Sequence, residues 1–342
     1  MTINKNIIGV MMLAAMISAC SNTDTTDDLS DGPLQDEIHL KADVWHMVEG
    51  TRATTYDGGT QTSGSFTTTV YYGNSTDAYI SPVTVNWVST QWVWSDGTHR
   101  WPATGNLDFF AYMPATKPSY ISDPAYSISG TPQASFTCTD IPMTYSSASP
   151  TEGQGSNLQE FVWAITKGQN RNDQGETGVT MKFRRPFACI KFQLSASHPD
   201  ITINSITFKS LKTGGTCTLN ATNIADNYYY TTSVWSDLSG SSDLTMTLTS
   251  NAATFNNNPN TTQPIGGYSG SAHTSIPFLV IPQTWAGAIE VNATWSVWGV
   301  PSTQTVSATI PTTWQPGYSY TYTFTINEAE LIVNTTRFTE QW

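Results

Sequence analysis

The sequence has 342 residues, with 14 Lys and Arg against 26 Asp and Glu, for a formal net charge of −12. No basic cluster supplies the electrostatic footprint of nucleic-acid binding, which excludes that class of partner. Only 12% of residues are charged, while Thr, Ser, Asn, Gly and aromatic residues dominate, a composition suited to strands with a hydroxylated outer face rather than to helices.

Residues 1–19 read as an export signal: Lys5 in a short polar start, then an apolar run from Ile7 to Ile17 that is too short to span a bilayer permanently. The run ends in Ile17-Ser18-Ala19-Cys20, which resembles a bacterial lipobox and makes Cys20 the lipidated first mature residue. The expected lipid, palmitate among its acyl groups, ties the protein to the cell outer membrane. Residues 20–36 are polar, acidic and poor in apolar side chains, and read as a disordered tether.

From Ile38 the pattern alternates. Ile38, Leu40, Ala42 and Val44 share one face and His39, Lys41, Asp43 and Trp45 the other, the signature of a half-buried strand. The Gly-rich stretch from Glu49 to Gly59 carries the single basic residue Arg52 and is accessible to a protease. Further strands are expected over residues 65–72, 79–88, 92–94, 107–112 and 161–166. The polar, Gly-rich residues 168–178 form the deepest break and are expected to divide two β-domains, 37–170 and 177–342.

The second half resumes with strand-like runs at 179–183, 187–194, 201–211, 242–249, 276–281, 288–298 and 303–310. Tyr318, Tyr320, Tyr322, Phe324 and Ile326 then alternate with Ser and Thr in the longest period-two run of the chain. A last strand is expected over 331–338. Evenly spaced short strands with turn punctuation argue for antiparallel β-sandwiches.

Chemistry-bearing motifs are missing. The five histidines are scattered without metal-ligand spacing, and no nucleophile elbow, phosphate loop or dinucleotide fingerprint is present. No catalytic, cofactor or metal residues are therefore assigned, and a binding or structural protein is expected rather than an enzyme. With Cys20 lipidated, Cys138, Cys189 and Cys217 remain, an odd number that permits at most one internal bridge. They read as buried small hydrophobes, with a single disulfide as the open alternative. Trp92, Trp94 and Trp101 crowd one stretch. Large aromatics most often pack a core; the alternative is an exposed Trp face that stacks on glycans, making this a lipid-anchored glycan-binding protein.

Several segments together resemble the fimbrillin (Mfa-like) family, the lipoprotein subunits of type V pili. They are the lipobox, Thr51-Arg52-Ala53-Thr54, Trp101 to Tyr112, the strand from Val179 to Phe192, Phe278 to Gln283, and Trp314 to Tyr322. Arg184-Arg185-Pro186 departs from the His that many relatives show after the Phe at Phe183, and Pro186 bars a central ladder position there.

The resemblance implies two transthyretin-like, Ig-like sandwiches in tandem and an Arg-specific cut between Arg52 and Ala53. The cut would release the first strand with Ile38, Leu40, Ala42 and Val44. The vacated groove would be refilled by the C-terminal strand of a neighbouring subunit, carrying Leu331, Val333, Phe338 and Trp342, in donor-strand exchange. Implied partners are other pilus subunits, in a homo- or heteropolymer, and a host or bacterial surface ligand. The implied location is the outer membrane and, after processing, the fimbrium.

Overall fold

The computed structural model describes residues 36–44, 59–73, 75–127, 133–146, 160–174, 178–196, 201–220, 230, 234–247, 262–264, 278–297, 300–309, 311–327 and 330–341, some of them by backbone alone. The described chain is all-β apart from one helical turn, α1 (Arg171–Gln174). In order, the strands of the first half are β1 (Leu40–Val44), β2 (Gly59–Thr60), β3 (Ser65–Tyr72), β4 (Ala78–Val88), β5 (Gln91–Trp94), β6 (Leu107–Met113), β7 (Ala125–Ser127), β8 (Gln133–Cys138), β9 (Thr144–Ser146) and β10 (Val162–Gln169). They are followed by β11 (Val179–Phe183), β12 (Ala188–Ala196), β13 (Ile201–Leu211), β14 (Gly214–Asn220), β15 (Trp235–Ser239), β16 (Ser242–Thr247) and β17 (Thr262–Pro264). The last are β18 (Phe278–Val280), β19 (Thr284–Trp285), β20 (Ala288–Val297), β21 (Val300–Thr309), β22 (Thr312–Thr313), β23 (Tyr318–Asn327) and β24 (Glu330–Gln341).

A five-stranded sheet, β10-β6-β3-β4-β5, organises the first half. Its second strand, β6, is apolar at nearly every position because it is covered on both faces, while the neighbouring β3 buries Thr67, Thr68 and Thr69. In β6, Leu107, Phe109, Ala111 and Met113 enter one hydrophobic cluster, while Phe110 enters a second with Tyr112 packed against it. β10 divides the same way, Val162 and Ala164 against Trp163 and Ile165. The first cluster is closed by the small sheet β11-β1-β2, which contributes Leu40, Ala42, Val44, Val179, Met181 and Phe183. The second is closed by the sheet β15-β14-β8-β7, through Ala134, Phe136, Cys138, Cys217 and Leu219.

The two halves of the sequence interlock. β8 pairs antiparallel with β14 from Gly215↔Cys138 to Asn220↔Gln133, and β9 pairs parallel with β16. β11, beyond the break expected at 168–178, pairs with β1 and fills the first cluster. β11 thus packs with the first half, because its alternating apolar face has its complement in β1. After Pro186, β12 begins a new sheet with β17, β18, β23 and β24. β13, β16, β20 and β21 form another with β9. The tyrosine strand β23 lies between β12, parallel, and β24, antiparallel.

Candidate assembly interface

β1 is short and inserts its apolar face into the interior. Ile38, Leu40, Ala42 and Val44 are 2%, 4%, 0% and 0% exposed, while Lys41 points to solvent. Its backbone is held on both edges. On one side it runs parallel to β11, from Leu40↔Val179 to Val44↔Phe183; on the other it meets β2 at Asp43↔Thr60. The approaches are tied as well: Ile38 N donates to His99 O at 2.9 Å, and Trp101 N to Asp36 O at 2.9 Å. Val179 N reaches His39 O at 2.8 Å. The Trp94 indole donates to the Ile38 carbonyl at 2.8 Å in the interior. The strand expected from alternation is thus the central member of its sheet, and without it the edge of β11 would lie open.

Trp92, Trp94 and Trp101 are 6%, 8% and 8% exposed and belong to the cluster that β1 covers. The core reading of these three therefore holds, and the alternative of a flat glycan-stacking face made of them is corrected. β5 pairs Trp94 with Val85 and Trp92 with Trp87, so both indoles take the inward side of the strand. Phe66 meets Trp92 at 4.9 Å between ring centroids and Phe183 at 5.5 Å. These aromatics form the floor of the groove that β1 occupies.

Between β11 and β12 the sequence shows Arg184-Arg185-Pro186, and the structure gives each a partner. Arg185 Nε lies 2.6 Å from Glu160 Oε1, with side chains 2% and 1% exposed. Such a pair is tolerable in the interior only because each charge satisfies the other. Arg184 exchanges backbone hydrogen bonds with Trp163, at 2.8 and 3.1 Å. The Pro186 carbonyl accepts from the Trp235 indole at 2.6 Å. Pro186 itself lies between β11 and β12, outside any ladder. Sequence reasoning did not single out the Glu160–Arg185 pair; the two residues are 25 apart, and no local pattern joins them.

The C-terminal segment expected as a donor is β24, an edge strand on its own β23. The register sets Leu331 opposite Ile326, Val333 opposite Phe324 and Phe338 opposite Thr321. A register shift between Thr321 and Thr323 separates Val333 from Phe338, which occupy positions of opposite parity on the ladder. Cys20, Arg52, Ala53 and Trp342 lie outside the described residues.

Cys138, Cys189 and Cys217 are free thiols, all buried in the second cluster. Burial pushes the Cys138 thiol up to about 12, with Asp140 adding to the effect. Burial raises Cys217 as well, with Cys138 contributing.

A family model described as fimbrillin-like matches residues 51–342. No curated protein matches the chain. Among solved structures, a candidate cell adhesion protein from Bacteroides ovatus aligns at 13% identity and a TM-score of 0.49, over 90% of this chain and 97% of the other. The fimbrial anchor protein Mfa2 from Porphyromonas gingivalis aligns at 9% identity and a TM-score of 0.34, over 90% and 98%. The tip fimbrial protein Mfa3 from the same organism, truncated at its C-terminus, aligns at 10% identity and a TM-score of 0.39, over 90% and 100%.

Proposed function

The chain belongs to the fimbrillin-like family, and from that membership we propose that it is a pilus subunit that matures by losing its first strand. In this reading the chain is exported as a precursor lipidated on Cys20 and held at the outer membrane. An Arg-specific protease cuts between Arg52 and Ala53. β1 leaves with the anchor, and the groove between β11 and β2 receives the C-terminal segment of a neighbouring subunit. Subunits joined strand to groove in this way then repeat along the fibre.

The observation that carries the proposal is the contrast between β1 and the linker on its C-terminal side. β1 buries its apolar face and is paired on both edges, yet residues 45–58 hold a single Lys or Arg, Arg52, in a Gly-containing sequence suited to proteolysis. The match to the family begins at Thr51, next to that residue. Removal of β1 would expose unpaired backbone on β11, the indoles beneath it and the Trp94 N–H that Ile38 now satisfies. A surface of that kind is relieved by strand addition.

The test is to incubate the purified precursor with an Arg-specific protease and to read the product mass together with its migration before and after boiling. A cut after Arg52 with boiling-sensitive ladders supports the proposal. Cleavage at that bond that leaves only monomer would overturn it.

A further inference from the structure

A cavity of about 450 Å³ is lined by residues that have no part in the hydrophobic cluster covered by β1. It opens where the loop after β18, the turn before β23 and the strand β15 converge. Its walls include Tyr230, Trp235, Trp314 and Tyr318, and its mouth carries Thr313 and Gln315, both exposed. We propose that this cavity is a binding site for a neutral carbohydrate of one or two sugar units.

The chemistry of the walls selects the ligand. None of the described residues that line the cavity is charged, and the chain as a whole carries −12, so an anionic ligand would find no counter-charge there. Trp235 and Trp314, 8% and 2% exposed, form the buried back of the cavity, and the half-buried Tyr230 and Tyr318 rings, with hydroxyl and amide groups at the rim, meet the apolar C–H faces and polar edges of a sugar. The volume falls within the roughly 300–1,000 Å³ usual for small-molecule sites.

The aromatic walls are set before any ligand arrives. The Trp235 indole is pinned to Pro186 O at 2.6 Å, and the Trp314 indole to Tyr322 Oη at 2.9 Å. Trp314 also stacks on Trp285, at 5.4 Å between centroids and 17° between planes. Gln315 N donates to Tyr320 Oη at 2.8 Å and fixes the turn that carries Gln315. Rings held this way lose little freedom on binding. At the mouth, Thr284 and Thr313 share a hydroxyl contact of 3.2 Å, and each oxygen keeps acceptor capacity for a second partner.

The test uses the uncleaved full chain, so its outcome is independent of strand exchange. Lactose, cellobiose, maltose and N-acetyllactosamine are titrated against tryptophan fluorescence, with saturation-transfer NMR to report which sugar protons touch protein. Sialyllactose serves as the anionic probe and a neutral proline-rich peptide as the competing occupant. The expected result is saturable binding of at least one neutral disaccharide, weaker binding of sialyllactose, and a loss of about tenfold or more in affinity in Thr313→Trp. That substitution fills the mouth from an exposed position, and an unchanged circular dichroism spectrum confirms its fold. No response to any neutral sugar, equal binding by Thr313→Trp, or binding of the peptide alone would each overturn the proposal.

Discussion

Removal of β1 tests the assembly reading most directly. Ile38, Leu40 and Val44 are 2%, 4% and 0% exposed. Full burial of such a side chain is worth about 1.5–3 kcal/mol, so the three together supply roughly 4.5–9 kcal/mol. That figure is an upper estimate because unfolded chains already hide some apolar surface, but it is comparable with the whole stability of a domain, about 5–15 kcal/mol. The paired edges with β11 and β2 are lost in addition. A chain beginning at Ala53 is therefore expected to be unfolded or self-associated in dilute solution, while a control beginning at Asp36 is a folded monomer. A synthetic peptide of residues 37–48 should restore the urea midpoint of the short chain. Urea unfolding followed by tryptophan fluorescence, with size-exclusion chromatography of each sample, reads all three. A short chain that stays monomeric and unfolds at the midpoint of the control would refute the reasoning.

The Glu160–Arg185 pair gives a second prediction. Arg185→Leu removes the counter-charge of the buried Glu160 carboxylate and should cost about 3–5 kcal/mol in urea unfolding, while the double variant with Glu160→Leu recovers much of the loss. Native protein at pH 8 should leave Cys138, Cys189 and Cys217 unmodified by a thiol reagent, because with a thiol pushed up to about 12 Cys138 holds only on the order of 10⁻⁴ of its population as reactive thiolate; denaturant should release all three, and fast native labelling of Cys138 would contradict its burial. Gly317 has φ of 75° and donates its N–H to Phe187 O at 2.9 Å. An added Cβ would meet nothing nearer than Arg185 O at 3.6 Å, so Gly317→Ala should cost only the left-handed backbone penalty of about 1–2 kcal/mol, measured by thermal or urea unfolding.

How much of the fold and the interface is legible in the sequence varies with how local the signal is. The alternation from Ile38 to Val44 and from Tyr318 to Ile326 marks β1 and β23, because each has faces of different polarity. Residues 107–112 read as a core strand, and their continuous apolar run reflects a sheet covered on both sides. The general tendency of large aromatics to pack inside holds for Trp92, Trp94 and Trp101. What the sequence hides is long-range. β14 begins Gly214-Gly215 and carries little apolar pattern; its place is set by β8, a partner from the other half. The parallel pairing of β11 with β1 across so long a gap likewise leaves no local mark. The aromatic cavity, too, is assembled from segments distant in sequence.

Along β6, the middle sheet of the first half has no free face. Successive residues of β6 serve different cores, so a change beneath Phe109 is only one residue step, about 3.3 Å, from Phe110 on the other side. A sheet gripped on both faces is stiff; the same sheet with one cover removed can bend. In a fibre built by strand exchange, each subunit would be pliant only while its groove is empty. Rigidity would then be conferred on each subunit by its neighbour, and a pilus would stiffen from one docked strand to the next as it grows.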